Sequence, residues 1–133
     1  MRCPVCKKSL VVLELNEVEI DHCLDCGGIW LDAGELELLL GHSRHVRQFL
    51  DSFHPCLTGR EKIHKCPLCR KKMLKIHTGP QPSDPIIDMC PTRQGLWFEK
   101  NELTQVISRG TLDPQNIIVK LLAEMFPKPG EFP

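Results

Sequence analysis

The stretch CLDCGGIWLDA, residues 23 to 33, carries most of the information about the fold of this chain. It has two cysteines separated by two residues, then two glycines, then a tryptophan between aliphatic residues. A second stretch, CPTRQGLWFEK at residues 90 to 100, has the same order but carries Arg93 where the first has Cys26. Such self-similarity indicates that the chain is built from duplicated structural units.

The repeat extends beyond these two stretches. The first unit contains CPVC at 3–6, EIDHC at 19–23 and CGGIWLDAGEL at 26–36, and the second contains CPLC at 66–69, IIDMC at 86–90 and RQGLWFEKNEL at 93–103. The units align without a gap from Asp21 and Asp88 onward, but the CPxC pairs align only if the second unit has four additional residues. The turn-rich segment GPQPSDP contains this insertion and should lengthen a hairpin loop.

Apolar and polar residues alternate on both sides of residues 16–17, which predicts a β-hairpin with its turn at that point. A third short strand is expected at 29–31. Asp32 has the residue type and the spacing of a helix N-cap, and Gly41 that of a helix stop. We therefore expect a helix from about residue 33 to 40 in the first unit, and the corresponding elements in the second.

The cysteines of the first unit have the spacing of a metal site. Two thiolates separated by two residues can bind one ion from a single turn, and the sixteen residues between the two pairs form the hairpin that joins them. Zinc suits four thiolates and needs no redox chemistry. We predict a structural zinc on Cys3, Cys6, Cys23 and Cys26; the alternative is four buried cysteines without a ligand.

Composition agrees with this interpretation. A chain of 133 residues with 5% aromatic residues and eleven prolines is not expected to form one large core, so it needs cross-links such as disulfide bonds or bound metal. The N-terminus MRCPVCKK has no apolar segment of a secretory signal, which argues against disulfide bonds. No run of about 18 apolar residues is present. We expect a cytoplasmic protein that does not span a membrane.

The pattern CPxC followed by IDxCxxCGGIWLDAGEL resembles the bacterial zinc-ribbon family related to the zinc finger of transcription factor IIB. The resemblance is close over residues 1–41, and it covers residues 66–104 with one ligand missing. It implies zinc on the four cysteines of the first unit and on Cys66, Cys69 and Cys90 of the second. It implies little about activity, and Arg93 departs from the pattern.

Four residues are candidates for the missing ligand. His77 would lie roughly 25 Å from the metal end if its strand is extended. His54 neighbours Cys56, which lies in HPCLTG, a segment that can fold back onto the site. We predict Cys56 as the fourth ligand, with His64 as the second choice.

Two further interpretations of the second unit stay open. In one, it has lost its metal and kept its shape, leaving three free cysteines as small apolar residues. In the other, three thiolates and a water resemble a catalytic zinc. Its nearby acids, Asp88 and Glu99, match Asp21 and Asp32 of the first unit, so these acids are interpreted as architectural and the protein as non-enzymatic.

Two more helices are predicted outside the repeat. Residues 43–53 carry an apolar stripe at helical spacing. Near the end, Asp113 and Pro114 have the order of an N-cap and a first helical residue. A helix with six large apolar residues on one face should follow, up to Pro127. This face either packs in the core or docks another copy or a partner protein.

Charge is unevenly distributed in a chain whose formal net charge is zero. Residues 1–41 hold three Lys or Arg against eight Asp or Glu, whereas residues 66–110 hold seven against four. The cluster Arg70, Lys71 and Lys72, with Lys75, is a candidate anion or nucleic-acid contact. Neutrality and the scarcity of aromatic residues weigh against nucleic acid as the main partner.

These observations lead to one overall prediction. The chain is a small α+β protein with a zinc ribbon at 1–41, a helical linker at 42–65, a second ribbon at 66–110, and a C-terminal helix and tail at 111–133. One or two Zn²⁺ ions stabilise it, and it serves as a non-enzymatic interaction module for a protein partner or a second copy. The alternatives are a nucleic-acid-associated ribbon and a thiol redox or metal-handling role for the incomplete second site.

Overall fold

The computed structural model describes residues 1–57, 62–113 and 115–125. Within these ranges the protein has the predicted α+β character, with four helices and one seven-stranded sheet. In chain order the elements are β1 (Val11–Leu15), β2 (Val18–His22), β3 (Ile29–Asp32), α1 (Glu35–Leu40), α2 (Arg44–Asp51), β4 (His54–Pro55), β5 (Leu74–His77), β6 (Ile86–Met89), β7 (Gly95–Phe98), α3 (Glu102–Gly110) and α4 (Ile117–Met125).

The sheet has the strand order β1-β2-β3-β7-β6-β5-β4, and all of its neighbouring strands are antiparallel. Apart from the additional edge strand β4, its two halves have the same internal order and meet at β3 and β7. In that central pair Trp30 lies opposite Trp97. Because these tryptophans occupy the same position in the repeat, an approximate twofold axis passes between them. The repeated units therefore share one continuous sheet, which the sequence analysis did not predict.

Two glycines allow the halves to approach closely. A Cβ atom on Gly28 would lie 2.1 Å from Cζ2 of Trp97, and a Cβ atom on Gly95 would lie 2.5 Å from Cζ2 of Trp30. Carbon atoms in ordinary contact are about 3.5–4.0 Å apart. Each half thus needs a glycine under the indole of the other half, and both indoles are fully buried.

The hairpin predicted in the first unit is confirmed. Asn16 and Glu17 both have positive φ, 49° and 68°, as a two-residue turn between strands of normal twist requires. The turn sets Leu15 opposite Val18, and this register gives β1 and β2 one face toward the core.

The predicted N-cap of the first helix is wrong in its details. Helix α1 follows Gly34, which adopts left-handed geometry and provides no side-chain cap. The carboxylate of Asp32 instead accepts a hydrogen bond of 2.8 Å from the indole N–H of Trp30. Glu35 accepts a hydrogen bond of 2.6 Å from the backbone N–H of Asp32. The acid at position 32 was recognised from its spacing, but an indole donor, which spacing does not reveal, is its partner.

The predicted linker region contains the expected helix and one additional strand. Ser43 caps α2 by accepting a hydrogen bond from the N–H of Val46, which is buried. After the helix, β4 pairs with β5 and forms an edge of the sheet. This segment of the chain therefore belongs to the fold of the second unit.

The last helix packs into the main core through the apolar face recognised in the sequence. Ile118 and Leu122 are fully buried, whereas Ile117 is 52% exposed. Asn116 caps the helix by accepting hydrogen bonds from two backbone N–H groups, so the prediction of Asp113 as the cap is wrong. The predicted first residue Pro114 and the predicted stop at Pro127 lie outside the described residues. Within the described ranges, none of the helices has the length and apolarity needed to cross a membrane.

Candidate metal centres

The four cysteines of the first unit come together where the loop before β1 meets the β2–β3 turn. Their sulfur atoms all lie within 4.8 Å of one another, and Cys3 Sγ is 3.6 Å from Cys26 Sγ. A tetrahedral zinc with Zn–S bonds of about 2.3 Å separates its sulfurs by about 3.8 Å. The arrangement of Cys3, Cys6, Cys23 and Cys26 therefore fits one zinc ion.

The backbone around these cysteines is shaped to hold thiolates. The N–H groups of Val5 and Cys6 point to Cys3 Sγ at 3.4 and 3.2 Å, and the N–H of Cys26 points to Cys23 Sγ at 3.5 Å. Hydrogen bonds donated to a sulfur favour its charged form.

The cysteine pKa values of the first unit reflect two opposing effects: burial disfavours the charged thiolate, and hydrogen bonds donated to the sulfur favour it. Burial raises the pKa of Cys6 and that of Cys26. Burial also acts against the Cys23 thiolate, but hydrogen bonds from the backbone of Cys26 and Asp25 outweigh it and lower the pKa of Cys23. A cation among the four sulfurs would favour the deprotonated form of every thiol. The apo cluster is therefore a set of thiols whose ionisation is coupled to metal binding.

The second unit brings Cys66, Cys69 and Cys90 together in the same way. Their sulfurs also lie within 4.8 Å of one another, and Cys69 Sγ is 3.6 Å from Cys90 Sγ. The N–H groups of Leu68 and Cys69 point to Cys66 Sγ at 3.4 and 3.5 Å, as their counterparts do in the first unit. Three corners of a tetrahedral site are thus present.

The thiols of this second cluster differ in acidity. Burial raises the pKa of Cys66 to about 11. Burial acts in the same direction on Cys90, but hydrogen bonds from Thr92 and from the backbone N–H of Gln94 overcome it and lower the pKa of Cys90 to about 7. The Thr92 hydroxyl lies 3.2 Å from Cys90 Sγ. Cys90 is therefore the thiol of this cluster most disposed to bind a cation at neutral pH.

Neither residue predicted as the fourth ligand belongs to the cluster in the described part of the chain. Cys56 continues the line of β4, and its N–H donates a 2.8 Å hydrogen bond to the carbonyl of Lys75. The ring of His64 lies 3.8 Å from a carboxylate oxygen of Glu99. The assignment of Cys56 to the metal stays a prediction.

The other two histidines considered for this role lie opposite each other in β4 and β5. His54 and His77 stack with ring centroids 4.9 Å apart at the edge of the sheet. The expectation that His77 is unsuitable agrees with this placement, since the two rings contact each other and neither belongs to the sulfur cluster.

The first unit matches a known protein family. Residues 2–42 match the transcription factor zinc-finger family, a TFIIB-type zinc ribbon. The matched range contains all four cysteines of the first cluster and ends just after α1. The chain matches no curated protein and no solved structure. The predicted resemblance of the first unit to the transcription factor IIB zinc finger is confirmed, whereas its bacterial grouping and the resemblance of the second unit stay predictions.

The loop that carries Arg93 differs from its counterpart in the zinc ribbon by more than one side chain. In the ribbon, Gly27 has positive φ, 79°, and its N–H donates to the carbonyl of Cys23. In the second unit, Arg93 has positive φ, 60°, and its N–H donates to the carbonyl of Cys90. The left-handed residue has moved one position earlier, because Gln94 stands where the ribbon has its glycine. This second substitution was visible in the sequence but was not interpreted.

The side chain of Arg93 lies in a cleft of about 440 Å³ between the sheet and the first helices. Asp32 and Glu37 also line this cleft. The arginine therefore shares this cleft with two acids of the other half of the molecule.

Only part of the predicted basic cluster is exposed to solvent. Arg70, Lys71 and Lys72 are exposed. Lys75, in contrast, has a side chain that is 10% exposed, and its ammonium lies 2.7 Å from a carboxylate oxygen of Asp88. Burial raises the pKa of Asp88, and the ion pair with Lys75 opposes this effect. Lys75 was therefore wrongly included among the anion contacts, because β5 turns it inward.

Proposed function

We propose that the protein is a non-enzymatic zinc-binding interaction module in which one structural zinc ion stabilises each of two units that are joined edge to edge in one sheet. The observation that carries this proposal is the presence of two sulfur clusters, each compatible with one tetrahedral ion, at corresponding ends of one sheet. In small modules of this kind the free energy of zinc binding is free energy of folding.

The acids beside the second cluster support a structural rather than a catalytic role. Asp88 pairs with Lys75 inside the protein. Glu99 lies near His64, and its backbone N–H donates a 2.7 Å hydrogen bond to Glu102. A general base must reach a water or a substrate at the metal, and these contacts hold both acids in other roles.

Zinc per chain, measured by native mass spectrometry, tests the proposal. We expect two ions in the wild type and one ion in each of Cys23→Ser and Cys90→Ser. Cys56→Ser is the informative variant: loss of one ion identifies Cys56 as the fourth ligand, and retention of two assigns that position to water or another group. A wild-type chain with a single ion would refute the second site.

Nucleic-acid association is the alternative favoured by the family match of the first unit and by the exposed Arg70, Lys71 and Lys72. A salt-dependent gel shift with single-stranded and double-stranded DNA distinguishes it from a protein-binding role, because phosphate contacts lose affinity steeply as salt rises.

A thiol redox or metal-handling role is the third proposal for the incomplete site. The lowered pKa of Cys90 favours it, but the residue is fully buried, and reactive thiols need access. Under this proposal mild oxidation would release one zinc ion per chain, with Cys90 or Cys56 modified first.

A further inference from the structure

A groove of about 740 Å³ separates the two CPxC turns of the molecule. Residues 1–4 form one wall and residues 65–68 form the other, with Lys7 and Arg70 at corresponding places along it. Its volume lies within the range of about 300–1,000 Å³ that is typical of ligand sites. The groove exists only because the shared sheet sets the two turns next to each other.

Within the part of the chain that the structure describes, four cations line this groove and no acid does. Arg2 and Lys65 each precede the first cysteine of a CPxC turn, and Lys7 and Arg70 each follow the second. All four side chains belong to exposed residues. Duplication of the unit has therefore placed two equivalent pairs of positive charges on the facing walls. Of these four cations, only Arg70 was predicted from the sequence as an anion contact.

At two of these positions the backbone has a conformation that favours glycine, yet the residue present is a cation. Lys7 and Arg70 have positive φ, 65° and 63°, where the turn closes by donating an N–H to the carbonyl of the first cysteine. Glycine adopts this conformation without a steric penalty, whereas other residues do so with strain. Both units nevertheless carry a long cationic side chain there.

The four cations have no acidic partner within the described residues. The ion pairs that involve a lysine or arginine there join Lys8 to Asp25, Lys75 to Asp88 and Arg109 to Asp84. Lys7 instead donates to the backbone carbonyl of Pro4 at 3.1 Å. Among the described residues, the positive charge of the groove is therefore not neutralised by carboxylates.

Between the cations the walls are aliphatic, with Pro4, Pro67 and Leu68, of which Leu68 is 45% exposed. None of the described residues that line the groove is aromatic, and both tryptophans of the chain are fully buried. Nucleic-acid bases would thus have no aromatic ring to stack on, which single-strand binding sites normally provide. A ligand that combines carboxylates with aliphatic side chains matches both parts of the wall.

We propose that this groove binds an acidic peptide segment of a partner protein, with carboxylates on the two pairs of cations and aliphatic residues against the prolines and Leu68. The inference rests on the proposed function as an interaction module and gives its partner a chemical class. Complementary charge would also speed association and make it sensitive to salt.

The test uses the zinc-loaded full chain and a short fluorescein-labelled peptide that alternates acidic residues with leucine, followed by anisotropy. The groove variant is Arg2→Glu with Lys65→Glu. The matched control is Arg47→Glu with Lys120→Glu, two exposed cations that do not line the groove and give the same change in net charge. We expect the groove variant to bind at least tenfold more weakly than the wild type and the control within about twofold of it. The same peptide with amides in place of acids should also lose at least tenfold.

Four results would overturn the inference: no binding by the wild type, equal losses in both variants, equal binding of the amide peptide, or tighter binding of a single-stranded oligonucleotide of the same length through the same cations. Native mass spectrometry of the same samples separates other failures. If the groove variant loses zinc, its cations serve the metal sites and the inference is wrong. If the wild type itself holds no zinc, the proposed function fails first.

Discussion

The close approach of Gly28 to Trp97 gives the most direct test of how the two halves fit together. A Gly28→Ala substitution would place Cβ 2.1 Å from Cζ2 and 2.4 Å from Cη2 of an indole that is fully buried. The backbone at Gly28 is not left-handed, so alanine adds no conformational strain. Overpacking a core costs about 1–3 kcal/mol and occasionally more. Because the overlap exceeds 1 Å and the ring cannot move into solvent, we expect a loss of about 3 kcal/mol.

The assay is urea unfolding followed by tryptophan fluorescence at a fixed free zinc concentration, with zinc content verified for each variant. Gly110→Ala is the matched control, since the atoms nearest to its Cβ would be side-chain atoms of Leu40 and Phe49, at 2.8 Å, which can shift. We expect a smaller loss for this control than for Gly28→Ala.

The same substitution in a Trp97→Phe background tests whether the collision with the indole causes the loss of stability. Trp97→Phe removes the ring atoms that would collide with the methyl group introduced by Gly28→Ala, so that substitution should cost about 2 kcal/mol less in this background than in the wild type. The reasoning is refuted if Gly28→Ala lies within about 1 kcal/mol of the wild type, or if its cost is the same in both backgrounds.

Three further predictions follow from differences between the repeated units. The buried indole N–H of Trp97 has no acceptor in the described residues, whereas that of Trp30 donates to Asp32. Glu99 occupies the position of Asp32, so Glu99→Asp should raise the free energy of unfolding by about 1 kcal/mol. The same substitution in a Trp97→Phe background should not. Arg93→Cys alone should leave the second site with three thiolates, whereas Arg93→Cys with Gln94→Gly should complete it, which Co²⁺ absorption spectra of the two variants will distinguish. Burial and neighbouring acids raise the pKa of Glu35; the folded state then binds its proton more tightly, so the wild type should gain stability relative to Glu35→Gln as pH falls from about 7 to 5, and an equal pH dependence of the two unfolding curves would contradict this assignment.

Much of the local structure and the first metal site were predictable from the sequence. The cysteine spacing identified all four sulfurs of the first cluster and three of the second, because a CxxC pair binds an ion from one turn whatever surrounds it. Alternating apolar residues located the hairpin, and its turn at Asn16 was found from local rules alone. These features depend on residues that are close in sequence.

The errors have a common physical cause. Asp32 was assigned to a helix cap and Lys75 to the surface because their partners, Trp30 and Asp88, are brought to them by the pleat and register of the sheet. Spacing identifies a residue that can form a contact, but the pleat of the same strand for Asp32, and the register of the facing strand for Lys75, decide which contact it forms.

What the sequence by itself determined is therefore the unit: two CxxC pairs joined by a hairpin, followed by a similar stretch that keeps three of the four cysteines. What only the tertiary structure decided is how the units combine. The pairing of β3 with β7 places Gly28 and Gly95 under opposite tryptophans, and the same pairing sets the CPxC turns side by side to form the basic groove. Neither consequence is encoded within one unit, because both arise from contacts between residues that are distant along the chain and fixed only when the two sheets become one.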